Sequence, residues 1–246
     1  MERGTIEVAW HKIGIIGAMK EEVELVHEQL SGDAVTRKAG IDFYTGTLFG
    51  MPVVLCKSGV GKVNAAVCTQ LMIDAFGVDA VLFTGVAGAV DPRLEIGDIV
   101  ISTECLQHDM DVTALGFPKG TIPFAEQSVF AADEELAALA FEVSDRLFPG
   151  RTVRGRVLSG DRFVADREEV KALLEQFDGA CTEMEGAAVA QVCGMNEVRF
   201  VIIRSMSDKA DGSAHVNFAE FTRLASKHSY QIIEGMIRQM QAAIRS

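Results

Sequence analysis

The sequence predicts a three-layer α/β/α domain on a central mixed, largely parallel sheet, and three observations carry that expectation. Short apolar runs bounded by glycine or polar residues recur along the chain. Helical patterns separate several of them, the alternation expected of parallel strands with crossover helices. Of the 246 residues, 48% are hydrophobic and 24% charged, which supplies a sizeable core under an ordinary globular surface.

A single sheet with helices on both faces can absorb this length without splitting, so one domain is expected over 12–246. Residues 1–11 carry Glu2 and Glu7, lack the apolar core of an export signal, and precede the first convincing strand. They read as an N-terminal extension. The first strand is Ile13 to Ile16, closed by a glycine-punctuated turn, and the second is Val53 to Leu55. A helical pattern runs from Lys62 to Phe76, and Ala80 to Phe83 and Ile99 to Ile101 follow as strands, apolar throughout as strands covered on both faces are.

The stretch from about 107 to 127, with Gly116, Pro118, Gly120 and Pro123, reads as a long loop. Long loops in compact domains often carry function, and Phe117, Ile122 and Phe124 within it call for contact with a ligand or a second subunit. An exposed, merely mobile loop is the other reading. Helical patterns resume at Asp133 to Leu147, Arg167 to Phe177 and Gly186 to Met195; then come a strand at Phe200 to Ile203 and a long helix from Phe218 to about Ile244.

Charge and cysteine usage narrow the function. With 23 Lys and Arg against 35 Asp and Glu, the net charge of -12 repels phosphate backbones and anionic lipid, so neither nucleic acid nor membrane is an expected partner. No apolar run reaches membrane-spanning length. The five cysteines are odd in number, form no CxxC pair and sit mostly in apolar runs, which suits a reducing cytoplasm.

Several familiar sites fail on inspection. The Gly14 to Gly17 turn lacks the GxGxxG spacing of a dinucleotide fold. The segment KSGVGK (57–62) resembles a Walker loop, but Cys56 replaces its first glycine and Val63 its Ser/Thr. His108, Asp109 and Asp111 fall short of a metal-ligand set and read better as a loop hydrogen-bond network. There is no GxSxG elbow and no cysteine with a nucleophile motif. Neither a cofactor nor a metal is expected.

In α/β sheets ligands bind beyond the carboxyl ends of strands, and four such places are polar. They are Gly17 to Glu22, Thr84 to Gly88, Glu183 to Glu185, and Arg204 to Asp208. Singly each has a dull explanation: Glu21 and Glu22 suit the first turn of a helix, and Asp208 a loop cap. Together they bring up to four carboxylates and one arginine to strand ends, where mutual repulsion needs a purpose.

The chain resembles the nucleoside phosphorylases and nucleosidases, most closely the 5'-methylthioadenosine/S-adenosylhomocysteine nucleosidase branch. Seven segments in order carry the resemblance: IGIIGAMKEE (13–22), KSGVGK (57–62), TGVAGA (84–89), HDMDVTALG (108–116), SGDRFV (159–164), TEMEGAA (182–188) and RSMSD (204–208). It implies a nucleoside-phosphorylase-like fold, a homodimer with loop 107–127 near the partner's site, and cleavage of the N-glycosidic bond by water. Asp208 would protonate the leaving adenine, for which it must hold a proton near neutrality, roughly 4 kcal/mol from its behaviour in water. Glu22 would activate the water, with Arg204 helping to hold it.

The resemblance also implies that Met184 and Glu185 bind the sugar, Glu185 accepting from the ribose hydroxyls, that Glu183 belongs to the substrate-binding set, and that Ser207 positions Asp208. Phe163 would stack on adenine, the main chain of Val164 would read its edge, and Met19, Val60 and Phe218 would line an apolar pocket for the 5'-alkylthio group. Phe163, Val60 and Phe218 could equally be core residues. Val86 stands where relatives often carry a small hydroxyl residue, and Val60 and Val164 replace bulkier isoleucines. Three rivals stay open: a phosphate-dependent phosphorylase, which Glu21 and Glu22 disfavour by their charge; an aminofutalosine nucleosidase; and a non-catalytic nucleoside binder.

Overall fold

In the computed structural model the described residues are 10–209 and 214–244, with 214–220 described by backbone alone. Strand β1 (Ile13–Gly17) leads into helix α1 (Lys20–Glu28), then β2 (Ser31–Lys38), β3 (Ile41–Leu48), β4 (Met51–Lys57), α2 (Lys62–Phe76), β5 (Ala80–Ala89) and β6 (Ile99–Gln107). After a short β7 (Val129–Ala131) come α3 (Glu134–Leu147), β8 (Thr152–Ser159), α4 (Arg167–Phe177), β9 (Gly179–Glu183), α5 (Gly186–Met195), β10 (Arg199–Asp208) and α6 (Ala214–Ile244).

The five expected strands and five expected helices are all present, the last helix beginning four residues earlier than its pattern indicates. Asp133 is the N-cap of α3 and accepts a hydrogen bond from the Leu136 amide at 2.9 Å. The elements absent from the expectation have weak patterns. Strand β2 is exposed along its whole length, and β8 carries Arg154, Gly155 and Arg156 between its apolar ends.

The sheet is mixed. Strand β1 runs parallel to β4 and β5, as do β5 to β10, β6 to β8 and β8 to β9. The pairs β2–β3, β3–β4, β5–β9, β6–β7 and β6–β10 are antiparallel. Because β5 bonds β9 as well as β10, the strands β5, β10, β6, β8 and β9 close on themselves, with β1, β4, β3 and β2 extending outward.

Alternate residues of the central strands face opposite helices. In β5, Ala80 and Leu82 join a core with Val26 of α1, Val143 of α3 and Ile233 of α6. Val81 and Phe83 face Met72 of α2 and Val189 of α5. Both faces are buried, which is why these strands read as continuous apolar runs.

Three findings modify the sequence reading. Trp10 is buried, with the Arg199 guanidinium 4.6 Å over its ring, and the His11 amide donates to Asp79 at 2.8 Å. These two residues, counted with the extension, pack on the domain. Ile122 of loop 107–127 packs against the chain's own core, while Phe124 is 93% exposed. The sulfurs of Cys56 and Cys68 lie in contact between β4 and α2, a pairing the sequence pattern did not suggest, and Cys105, Cys181 and Cys193 are free and buried.

Candidate active site

The ends of β1, β5, β9 and β10 surround a cavity of about 300 Å³, within the range of small-molecule pockets. Its floor is acidic. Glu22 and the adjacent Glu21 have opposite fates: Glu21 is exposed, whereas Glu22 is 4% exposed and turns back over the start of α1. Its Oε2 accepts from the Ala18 and Met19 amides at 2.7 and 2.9 Å, and its Oε1 from the Val86 amide at 3.0 Å. The helix-start explanation is therefore true of Glu22, whose carboxylate accepts from the amide of the N-cap residue Met19. Burial raises its pKa above the ordinary glutamate range against the opposing pull of Arg204 and those amides.

Gly85 makes this arrangement possible. A β-carbon there would strike both Glu22 Oε1 and Arg204 Nη1, so only glycine lets carboxylate and guanidinium meet over β5. Arg204 is 1% exposed, lies 4.0 Å over the Phe83 ring and donates from Nη2 to Glu183 Oε2. Burial works against its charge, but Glu183, Glu22 and Glu185 outweigh that and raise its pKa. The Nε of Arg204 and Oγ1 of Thr182 are buried without a hydrogen-bond partner among the described residues; Thr182 lines the cavity and can serve a bound polar group, whereas Arg204 lies behind the wall.

Glu183 is committed within the protein. It accepts from Ser159 Oγ, from Arg204 and from the amides of Gly186 (2.8 Å) and Glu185 (3.2 Å), capping α5. It still borders the cavity, but its hydrogen bonds hold up the wall rather than face the interior. Glu185 contributes Oε1 to the Gly61 amide at 2.7 Å, and its second oxygen makes no hydrogen bond among the described residues. Burial first and the neighbouring Glu183 second push its pKa up to about 8.

Asp208 ends β10 beyond a register shift between Met206 and Asp208, and such bulges re-aim side chains at active sites. It is 2% exposed, borders the cavity and accepts from Ser207 Oγ at 2.9 Å. Phe163 and Val60 are 50% and 49% exposed at the cavity wall, which removes the core reading for both. Met19, Val164 and Met184 also line it. The side chain of Phe218 lies outside the described residues. Sequence reasoning missed the amides of Ala18 and Val86, the hydroxyl of Ser159, and Arg162 at the rim; only Gly85 and the SGD motif at 159–161 left a trace in the sequence.

The N-cap and first amides of α2 are also filled: Gly61 N by Glu185, and Lys62 N by Asp161 Oδ1 at 2.8 Å. A helix N-terminus that would suit a phosphate thus holds the protein's own carboxylates. Among the described residues no group of three His, Cys, Asp or Glu is set to bind a metal ion, and no helix is long and apolar enough to cross a membrane.

Comparison with known proteins agrees with the seven motifs. The model of the phosphorylase superfamily matches residues 12–238. A 5'-methylthioadenosine/S-adenosylhomocysteine nucleosidase of Anoxybacillus flavithermus is 42% identical over 229 residues, 93% of this chain and 98% of the relative. The enzyme of that name from Neisseria meningitidis, solved with methylthio-immucillin-A, superposes with a TM-score of 0.88 at 39% identity, covering 93% of this chain and 99% of the other. Futalosine hydrolase of Helicobacter pylori superposes with a TM-score of 0.89 at 35% identity, over 93% and 98% of the two chains.

Proposed function

The chain belongs to the phosphorylase superfamily, and from that premise we propose that it is a nucleosidase: it hydrolyses the N-glycosidic bond of 5'-methylthioadenosine and S-adenosylhomocysteine, releasing adenine and the 5-thioribose. The observation that carries this reading is a cavity with two buried acids, Glu22 and Asp208, beside a third, Glu185.

In the proposed mechanism Asp208, held by Ser207, gives its proton to N7 of the purine. The C1'–N9 bond breaks with its electrons passing to the base, and the ribosyl carbon becomes oxocarbenium-like. Water adds to C1' as Glu22 takes its proton. Three amides fix that carboxylate in place, and burial makes it a stronger base than an ordinary glutamate. When Glu185 is ionised, its oxygen not bonded to Gly61 accepts from the ribose hydroxyls. Phe163 covers the base, the Val164 main chain reads its edge, and Met19, Met184 and Val60 supply apolar wall toward the 5' side. Glu183 serves by holding Arg204 and the start of α5.

A buried glutamate where an attacking phosphate would sit disfavours phosphorolysis, as does an α2 N-terminus already filled by carboxylates. The likeness to futalosine hydrolase keeps an aminofutalosine nucleoside as a second substrate reading.

The working unit in this proposal is a cytoplasmic homodimer acting in methionine salvage, with loop 107–127 near the partner's site. Its support is exposed apolar side chains: Val63 of α2 and Met195 of α5 at 74%, with Leu115 and Phe124 of the loop. Sedimentation as a monomer would remove it.

The test is chromatography of methylthioadenosine, adenosylhomocysteine, aminofutalosine and inosine digests, with and without phosphate. Free adenine from the first two substrates, independent of phosphate, is expected; Asp208→Asn and Glu22→Gln should each cut turnover by roughly 100-fold or more with folding intact. A sugar 1-phosphate product would overturn hydrolysis, and near-normal turnover would remove the substituted residue from the mechanism.

A further inference from the structure

The polar contacts just outside the cavity form a closed circuit that none of the roles above uses. Lys62, the first residue of α2, sends Nζ to Asp109 Oδ1 at 2.6 Å and to Gln107 Oε1 at 3.0 Å. The other oxygen of Asp109 accepts from the Asp161 amide at 2.9 Å, and the carboxylate of Asp161 returns to the Lys62 amide at 2.8 Å. The Lys62 and Asp109 side chains are only 16% and 22% exposed, so water screens their attraction far less than it does a surface pair. Burial opposes the charge on Asp109, yet Lys62 and the Asp161 amide outweigh it and hold its carboxyl below the usual range.

The circuit joins the loops that follow three strands. The first, 57–62 after β4, carries Val60 and gives its Gly61 amide to Glu185. The second, after β6, holds His108 and Asp109, and the His108 amide donates to Ser159 at 3.0 Å. The third, 160–164 after β8, carries Arg162, Phe163 and Val164 onto the cavity wall. Gly160 in this third loop lies against the His108 ring with no room for a β-carbon. Lys62, Asp109 and Asp161 do not line the cavity themselves. The segment is held at Gly160 by the Glu183 carbonyl, at Arg162 by Glu169 and at Val164 by burial, and the Asp109 carboxylate fixes residue 161 between them.

We propose that the Lys62–Asp109 ion pair is a clasp that sets the base-covering segment 160–164 against the 57–61 segment, making both residues positioning residues for recognition of the purine. The proposal rests on the nucleosidase reading. A clasp of this kind acts on the base before chemistry begins. Its loss weakens the ground state and the transition state together, raising KM and leaving kcat nearly unchanged. A merely structural anchor for α2 would lower thermal stability without that split.

The experiment compares the full-length wild type with Asp109→Asn, Lys62→Met, the double variant and Lys62→Arg. It measures adenine affinity by calorimetry, kcat and KM with methylthioadenosine, and thermal melting. Each single substitution is expected to weaken adenine binding and raise KM by roughly 10- to 100-fold, the worth of a charge-assisted hydrogen bond, with kcat changed by about threefold or less. The double variant should be no worse than the poorer single one, and Lys62→Arg should restore most of the affinity.

Adenine affinity within about twofold of wild type in both single variants overturns the clasp, as does a loss confined to kcat. Should Asp109→Asn fail to fold, the contrast between Lys62→Met and Lys62→Arg decides the matter. A wild type that neither binds adenine nor cleaves a nucleoside defeats the nucleosidase reading and the clasp with it, whereas an active wild type with insensitive variants defeats the clasp alone.

Discussion

Replacing Arg204 with methionine keeps much of the side chain's apolar length and removes its charge. Arg204 is 1% exposed and paired to Glu183, with Glu22 and Glu185 close enough to raise its pKa. Removing one partner of a buried ion pair leaves the other charge uncompensated, at a cost of about 3–5 kcal/mol. Two features set the low end of that range: Glu183 keeps its bonds from Ser159, Gly186 and Glu185, and any of the three carboxylates can take up a proton. A loss of about 3 kcal/mol near neutrality is therefore expected.

The same substitution removes the cation that opposes the burial-driven rise at Glu22, so the Glu22 pKa climbs further. Glu22 must be an anion to act as the base, so the acid limb of kcat/KM moves to higher pH. A carboxyl whose pKa is raised by folding contributes stability that is present at low pH and lost as pH rises through its folded value. The variant's deficit should consequently be larger at pH 8 than at pH 6. Urea unfolding at both values, beside a pH–rate profile, measures both effects. A deficit under about 1 kcal/mol at pH 8 together with an unmoved acid limb would refute a site held as one charge cluster.

Glu185, pushed up to about 8, should make the wild type lose stability between about pH 5 and 8, by an amount of order a few kcal/mol. Glu185→Gln should flatten that slope in melting curves taken across the range, and an unchanged slope would show that the carboxyl is ionised throughout. Gly85→Ala places a methyl group on Glu22 and Arg204 and should lower kcat by about 100-fold, the scale of a 1 Å displacement, while circular dichroism stays native. Ordinary turnover by that variant would mean that Glu22 need not sit against β5.

The parts of the fold legible in the sequence are those whose burial is complete. Ile13 to Ile16, Ala80 to Phe83 and Phe200 to Ile203 are covered on both faces, and short apolar runs between turn residues are what such a strand leaves in a sequence. Strand β2 leaves no comparable mark, since it pairs with β3 alone and buries no side chain. Nor does a composition reveal that β5 bonds β9 at Gly88 and Ala89 after running beside β10, the contact that closes the sheet. That closure depends on backbone geometry, to which side-chain periodicity is blind.

The site was legible in its acids and largely illegible in what holds them. Glu22 is fixed by the amides of Ala18, Met19 and Val86, Glu185 by the amide of Gly61, and Asp161 by the amide of Lys62. Every residue but proline owns such a donor, so its use writes nothing into the sequence beyond the glycines that permit close approach. The same bonds explain why the plain reading of each acid misleads when taken as an alternative to function. Glu22 does cap α1, Glu183 does cap α5, and Glu185 does satisfy the start of α2. Each cap is what makes a buried acid tolerable, and Glu22 and Glu185 so held border the cavity without reorganisation. Capping and chemistry are here one arrangement, so finding the first in a sequence gives no ground for rejecting the second.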